Sequence, residues 1–214
     1  SPIYSIDDIN LKRNIYNIQT GQYGSTIPEE YRMSIPQEFG LDVRMETGTG
    51  KTYCYTALMY ELNKRYGFNK FIIVVPTTPI KEGTSSFITS DYAKEHFTDI
   101  YPGKRIELSV LNAQRSRKGR KMFPQAISDF ARSTRLETDK ISALLMTSGM
   151  LTSTRTMDYE YDQTLLGSYS RPYDVLKATR PIVIIDEPHK FKRGNEAYKC
   201  LIERIDPLCV IRFG

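Results

Sequence analysis

Asp42-Val43-Arg44-Met45-Glu46-Thr47-Gly48-Thr49-Gly50-Lys51-Thr52 passes from an extended run, through two closely spaced glycines, into a lysine and a threonine. From Thr52 to Arg65 the apolar residues Cys54, Leu58 and Leu62 recur every four positions, so they share one helical face, and Gly67 follows as a terminator. The order is strand, glycine-rich turn, helix. Glycines at 48 and 50 let successive backbone N–H groups turn toward an anion without a side chain in the way, and the helix start adds a favourable partial positive charge. Thr47, Gly48, Thr49, Gly50, Lys51 and Thr52 are therefore the candidate phosphate-binding set. Lys51 would reach the β- and γ-phosphates, and the Thr52 hydroxyl would coordinate magnesium. The usual pattern places a glycine five residues before Gly50, and here that position is Met45.

Working outward, short apolar runs alternate with helix-like stretches, which is the requirement of a parallel sheet with crossover helices. The expected class is α/β. The predicted strands are Asp42 to Glu46, Phe71 to Val75, Ile106 to Leu111, Ala143 to Met146, Ile182 to Asp186 and Cys209 to Phe213. Several are nearly continuous apolar runs, as strands covered on both faces should be. Further helices are expected over Ile80 to His96, Phe123 to Arg132 and Asn195 to Ile205. Residues 1–41 carry no clear periodicity and read as an irregular lead-in to a domain spanning 42–214. The stretch from Thr147 to Pro172 reads as a long surface connection.

Ile182-Val183-Ile184-Ile185-Asp186-Glu187-Pro188-His189 is an apolar strand that delivers two carboxylates to its end, 135 residues after Lys51. Ligands of open α/β sheets bind at that edge. Asp186 would hold magnesium, and Glu187 would orient or deprotonate an attacking water.

Composition sets the outer bounds. Thirty basic and twenty-five acidic residues leave a net charge of +5, and 40% hydrophobic with 26% charged residues excludes a chain that is mainly disordered. That charge permits an anionic partner without requiring one. No apolar run approaches the roughly 20 residues that span a bilayer, and Ser1 to Asn10 lacks a secretory pattern, so no membrane association is expected. Cys54, Cys200 and Cys209 form no paired spacing and only His96 and His189 are available, so neither a disulfide framework nor a zinc site is expected. The cytoplasm is the expected compartment. Arg115, Arg117, Lys118, Arg120 and Lys121 crowd five charges into seven residues. A solvated loop and a DNA phosphate contact are both open readings of that cluster.

A glycine-rich loop followed by Asp186-Glu187-Pro188-His189 resembles motifs I and II of superfamily-two helicases and translocases. Val74-Val75-Pro76-Thr77 is similar to their motif Ia, and Met146-Thr147-Ser148 to motif Ib. A narrower resemblance rests on Met45 to Tyr53, on the Tyr60 to Phe68 stretch YELNKRYGF, on Phe71 to Pro76, and on Asp186 to Phe191. Together these resemble the restriction (Res) subunit of type III restriction-modification systems.

The resemblance implies a RecA-like P-loop fold and an ATP-hydrolysing motor on duplex DNA, with a methyltransferase (modification) subunit as partner. ATP and Mg2+ would be the cofactors. Pro76, Thr77, Thr147 and Ser148 would contact the nucleic acid, and His189 would couple the ATP site to the neighbouring domain edge. Gln19 and Gln22 are candidates for adenine recognition. Ile211-Arg212-Phe213-Gly214 resembles the approach to motif III. The second motor domain, its arginine finger and the nuclease are therefore expected outside these residues, and this domain alone should turn over ATP poorly. Two other readings stay open on the residues: the motor of a different superfamily-two DNA or RNA helicase, and a nucleotide-switched protein-docking module.

Overall fold

The computed structural model describes residues 40–113, 122–132, 139–190 and 196–214. Six strands form one parallel sheet: β1 (Gly40–Val43), β2 (Lys70–Val75), β3 (Arg105–Val110), β4 (Lys140–Thr147), β5 (Ile182–Asp186) and β6 (Cys209–Phe213), in the spatial order β1-β6-β5-β2-β4-β3. β2 and β5 are buried along their whole length, as their unbroken apolar sequences require when both faces are covered.

One face is covered by α1 (Lys51–Tyr66), α2 (Thr78–Thr89) and α3 (Asp91–Ile100), which pack Tyr55, Met59, Ile88 and Phe97 against Phe71, Ile73 and Ile184. The other face takes α4 (Gln125–Arg132), α5 (Ser148–Leu151), α6 (Thr154–Met157), α7 (Pro172–Thr179) and α8 (Glu196–Lys199), the last continuing as a wide π turn over Cys200–Ile205. Alternate strand residues serve the two layers, so Val183 and Ile185 face one and Ile182 and Ile184 the other.

The predicted strands are all present, and the departures have local causes. β1 ends at Val43, earlier than Glu46, because the chain turns away into the loop. The helix expected over Ile80 to His96 is two helices. Ser90 leaves helical geometry, and its hydroxyl accepts the Ala93 N–H at 3.2 Å as the cap of α3. On α1 the fully buried stripe is Tyr55, Met59 and Tyr60; Cys54, Leu58 and Leu62 flank it half-buried. Thr147 to Pro172 is no mere surface connection, since Met150, Leu151, Met157, Tyr161 and Leu165 enter the core. Asn195 to Ile205 is helical only from Glu196 among the described residues, and its second half widens into the π turn.

The edge strand β1 is held by more than its ladder. Arg212, 5% exposed on β6, donates from Nε and Nη2 to the two Asp42 carboxylate oxygens, and from Nη1 to the Tyr198 hydroxyl at 2.9 Å. A two-point guanidinium–carboxylate contact fixes orientation as well as charge. Asp42 is the next-to-last residue of β1, so the contact anchors the strand that leads into the turn before α1.

Candidate functional site

The parallel register brings the C-terminal strand ends to one edge: Val43 pairs with Phe213, Phe213 with Asp186, and Val75 with Thr147. Two groups of predicted residues stand there, one at the β1-β6-β5 corner and one at the β2-β4 corner.

At the first corner, Gly48 and Gly50 both take left-handed backbone angles, with φ of 83° and 89°. Only glycine adopts these without cost. Between them the Thr49 hydroxyl and N–H both donate to the Glu46 carbonyl, at 2.6 and 3.3 Å, closing the turn. Gly50 then starts α1, whose first turn receives no side-chain cap, so its N–H groups remain available to an anion. Met45, which replaces the usual glycine, does not take a positive φ. Its N–H donates to the Gly214 carbonyl at 2.8 Å and its side chain packs on the apolar layer. Nothing there requires glycine.

Lys51 and Glu187 meet across this corner as an ion pair, their side chains 10% and 13% exposed. The hydrogen bond from Lys51, more than any other influence, holds the Glu187 carboxyl below its ordinary value and therefore ionised. The second oxygen of Glu187 lies 3.2 Å from Nε2 of His189, whose own side chain is 63% exposed. Glu187 has a φ of 58°, rare for a residue with a Cβ, and its N–H donates to the Phe213 carbonyl at 2.9 Å. Gly214 closes the corner by donating to Val43 O at 3.0 Å. Strained backbone is here fixed through the end of β6, which is itself bonded to the end of β1.

Asp186 is buried at 5% exposure, and its Oδ1 finds no hydrogen-bond partner among the described residues. Burial, more than any neighbour, pushes its carboxyl above the ordinary value, with the Lys51 ammonium opposing. A buried carboxylate oxygen with nothing to bind is costly unless a cation completes it. Thr52 stands on the first turn of α1, where its hydroxyl accepts from Tyr55 at 3.2 Å. Burial raises the Tyr55 phenol to about 12, with the Asp186 charge adding a lesser push in the same direction. One hydroxyl and one carboxylate suit magnesium, which keeps several waters and takes other ligands from phosphates. No cage of three or more His, Cys, Asp or Glu side chains exists among the described residues.

The model of the family described as "Type III restriction enzyme, res subunit" matches residues 12–214. The chain belongs to this family. It is 50% identical over 175 residues to the Res subunit of the type III restriction-modification enzyme StyLTI of Salmonella typhimurium. It is 42% identical over 176 residues to the Res subunits of EcoPI from Escherichia phage P1 and EcoP15I from Escherichia coli. Each alignment covers 81% of this chain and 18% of the relative, so the chain spans about a fifth of the length of these Res subunits. The all-parallel sheet with helices on both faces is the RecA-like arrangement expected of a Res motor.

At the second corner of this Res-family domain, Thr77 and Thr147 precede α2 and α5, and neither side chain caps its helix. Ser148 Oγ donates weakly to the Pro76 carbonyl at 3.5 Å, tying the two segments together. The corner carries small polar side chains with Thr77 exposed, and Lys81, one turn into α2, is buried and donates from Nζ to Asn112 Oδ1. Gln19, Gln22 and the basic cluster from Arg115 to Lys121 lie outside the described residues.

Sequence reasoning missed two contributors. Tyr55 was hidden as an ordinary core aromatic, although its spacing of three from Thr52 on a helix was a signal. Arg212 gave only its position in an otherwise apolar strand. An arginine inside such a run is a sign of a buried partner.

Proposed function

We propose that this chain is the first RecA-like motor domain of a type III restriction subunit, binding ATP with magnesium and hydrolysing it to drive movement along duplex DNA. The observation that carries the reading is the convergence of Lys51, Asp186 and Glu187 at one sheet edge from positions 135 and 136 residues apart. A structural role alone gives no reason to place a flexible ammonium, an orphaned buried carboxylate oxygen and an ionised carboxylate around an uncapped helix start.

Residues 47–52 would receive the triphosphate on backbone N–H groups, and Lys51 would turn from Glu187 to the β- and γ-phosphate oxygens. That exchange matters twice. It compensates phosphate charge, and it releases the Glu187 carboxylate to accept a proton from the attacking water. His189, on the second oxygen of Glu187, would hold that carboxylate in orientation, and being exposed it would report on a neighbouring domain. Thr52 Oγ1 and Asp186 Oδ1 would hold magnesium, which when bound supplies charge neutralisation on the phosphates. Pro76, Thr77, Thr147 and Ser148 would take DNA phosphates through exposed amides and hydroxyls, a contact that positions without reading sequence. The methyltransferase partner follows from the restriction-modification systems of the relatives.

Binding of a fluorescent ATP analogue to the full-length protein tests this. With magnesium, the wild type should bind saturably, and Lys51→Ala should weaken binding by about 10²-fold, the scale of one lost charge-stabilising donor. Equal binding by both proteins would refute the assignment of the loop.

A further inference from the structure

The proposed metal-binding threonine does not stand alone. Thr52 accepts a hydrogen bond from the Tyr55 hydroxyl at 3.2 Å, and the same phenol lies 3.1 Å from Oγ1 of Thr84 on α2. Tyr55 has no exposed surface and Thr84 is 2% exposed, so no solvent competes for these hydroxyls. A phenol carries one hydrogen. If Tyr55 gives it to Thr52, the hydrogen between Tyr55 and Thr84 must come from Thr84, and the polarity of the chain is set from Thr84 through Tyr55 to Thr52.

That polarity has a consequence at Thr52. Its oxygen has two acceptor positions and one hydrogen. Donation from Tyr55 occupies one acceptor position and fixes the rotation of the side chain, leaving the other turned to a ligand. Packing does not explain the phenol oxygen. The Tyr55 ring meets Phe213 edge-on, with centroids 5.6 Å apart, a contact that phenylalanine would make equally well. The far end of the chain is also informative, because α2 begins immediately after Pro76 and Thr77, at the second corner of the sheet edge.

We propose that Tyr55 is a positioning residue for the cation: it fixes the Thr52 hydroxyl and, through Thr84, ties that hydroxyl to the helix starting at the proposed DNA corner. This rests on the nucleotide reading above. A shift of α2 on nucleic-acid binding is then felt at the metal through two hydrogen bonds and without any change at Lys51.

The test measures affinity of the full-length protein for a fluorescent ATP analogue with magnesium and with EDTA, and takes the ratio. Tyr55→Phe should lower that ratio about three- to tenfold, the scale of one hydrogen bond, while leaving the EDTA affinity unchanged. Thr84→Val should lower it in the same direction by less, and Thr84→Ser, which restores a hydroxyl, should return it to the wild-type value. An unchanged ratio in Tyr55→Phe, or an equal loss with and without magnesium, overturns the proposal. Should Tyr55→Phe melt at a clearly lower temperature, the Thr84→Val and Thr84→Ser pair decides on the same ratio, and equal ratios for the two overturn it. A wild type whose nucleotide binding ignores magnesium removes the nucleotide reading itself, an outcome distinct from normal wild-type binding with unresponsive variants.

Discussion

The two corners of the sheet edge are built from the same element, a parallel strand running into a helix start, yet they differ in nearly every other respect. The β1-β6-β5 corner is charged and over-determined: the largely buried Lys51 and Glu187 side chains pair beside the buried Asp186, Glu187 holds a left-handed backbone bonded to Phe213, and Gly214 exchanges backbone bonds with Val43 and Met45. At the β2-β4 corner Pro76, Thr77, Thr147 and Ser148 carry no charge, Thr77 is exposed and the helices are uncapped, and the nearby Lys81 is buried against Asn112 rather than a carboxylate. The contrast teaches that helix N-termini supply the same weak anion preference everywhere, and that surrounding charge and rigidity set what each one does with it. On the proposed reading, chemistry needs the first kind of corner and sequence-independent gripping the second.

The sharpest way to break that division is Glu187→Gln. The amide keeps shape and a contact for Lys51 but cannot take a proton. Steady-state ATP turnover of the full-length protein should fall about 10²- to 10⁴-fold, the range for a lost general base, while affinity for the ATP analogue is kept. If turnover survives, the docking-module reading gains and hydrolysis at this corner loses.

Packing offers a second contrast, through one glycine at each corner. A Cβ on Gly214 would stand 2.7 Å from Cδ of Pro188, the residue after Glu187, whereas a Cβ on Gly149 meets nothing within 4 Å. Proline cannot swing aside as a long side chain would. Gly214→Ala should therefore cost about 1–3 kcal/mol. Gly149→Ala, inside α5, should leave stability unchanged or raise it by up to about 1 kcal/mol. Thermal melting of the two variants checks this, and comparable melting temperatures would mean that the charged corner yields more readily than its hydrogen bonds suggest.

The same difference explains what could be read in the sequence. Buried parallel strands are nearly pure apolar runs, so β2, β4, β5 and β6 announce themselves, and the loop from Thr47 to Thr52 is legible because its glycines and lysine have few other uses. Asp186 and Glu187 are legible because a strand that ends in two acids is visible without knowing its neighbours. What pairs across the fold is not. The Lys51–Glu187 bond, the Arg212–Asp42 clamp and the Thr84–Tyr55–Thr52 chain join residues whose partners depend on strand order, which local pattern does not encode. The break at Ser90 was hidden because serine interrupts an amphipathic pattern no more than any small polar residue; only its hydrogen bond to Ala93 marks it as a cap. The burial of Met150, Leu151, Met157 and Tyr161 was masked by the polar residues interleaved with them.

The smallest expected effect is the most specific test of the second corner. Thr77 is the N-cap of α2, and aspartate is at least as good a cap as threonine, so Thr77→Asp should not unfold the helix. Its carboxylate would sit where the proposal places a DNA phosphate. Repulsion between exposed charges is modest, so duplex affinity of the full-length protein should fall only about two- to fivefold, the scale of an exposed ion pair with the sign reversed. Screening makes the loss shrink as salt is added, which separates repulsion from a packing defect that salt would not relieve. Affinity for the ATP analogue should not change, because the substitution touches neither the loop nor the carboxylates. Fluorescence anisotropy with a labelled duplex over a salt series measures this. If the loss is absent while Lys51→Ala weakens DNA binding, the grip on DNA lies elsewhere.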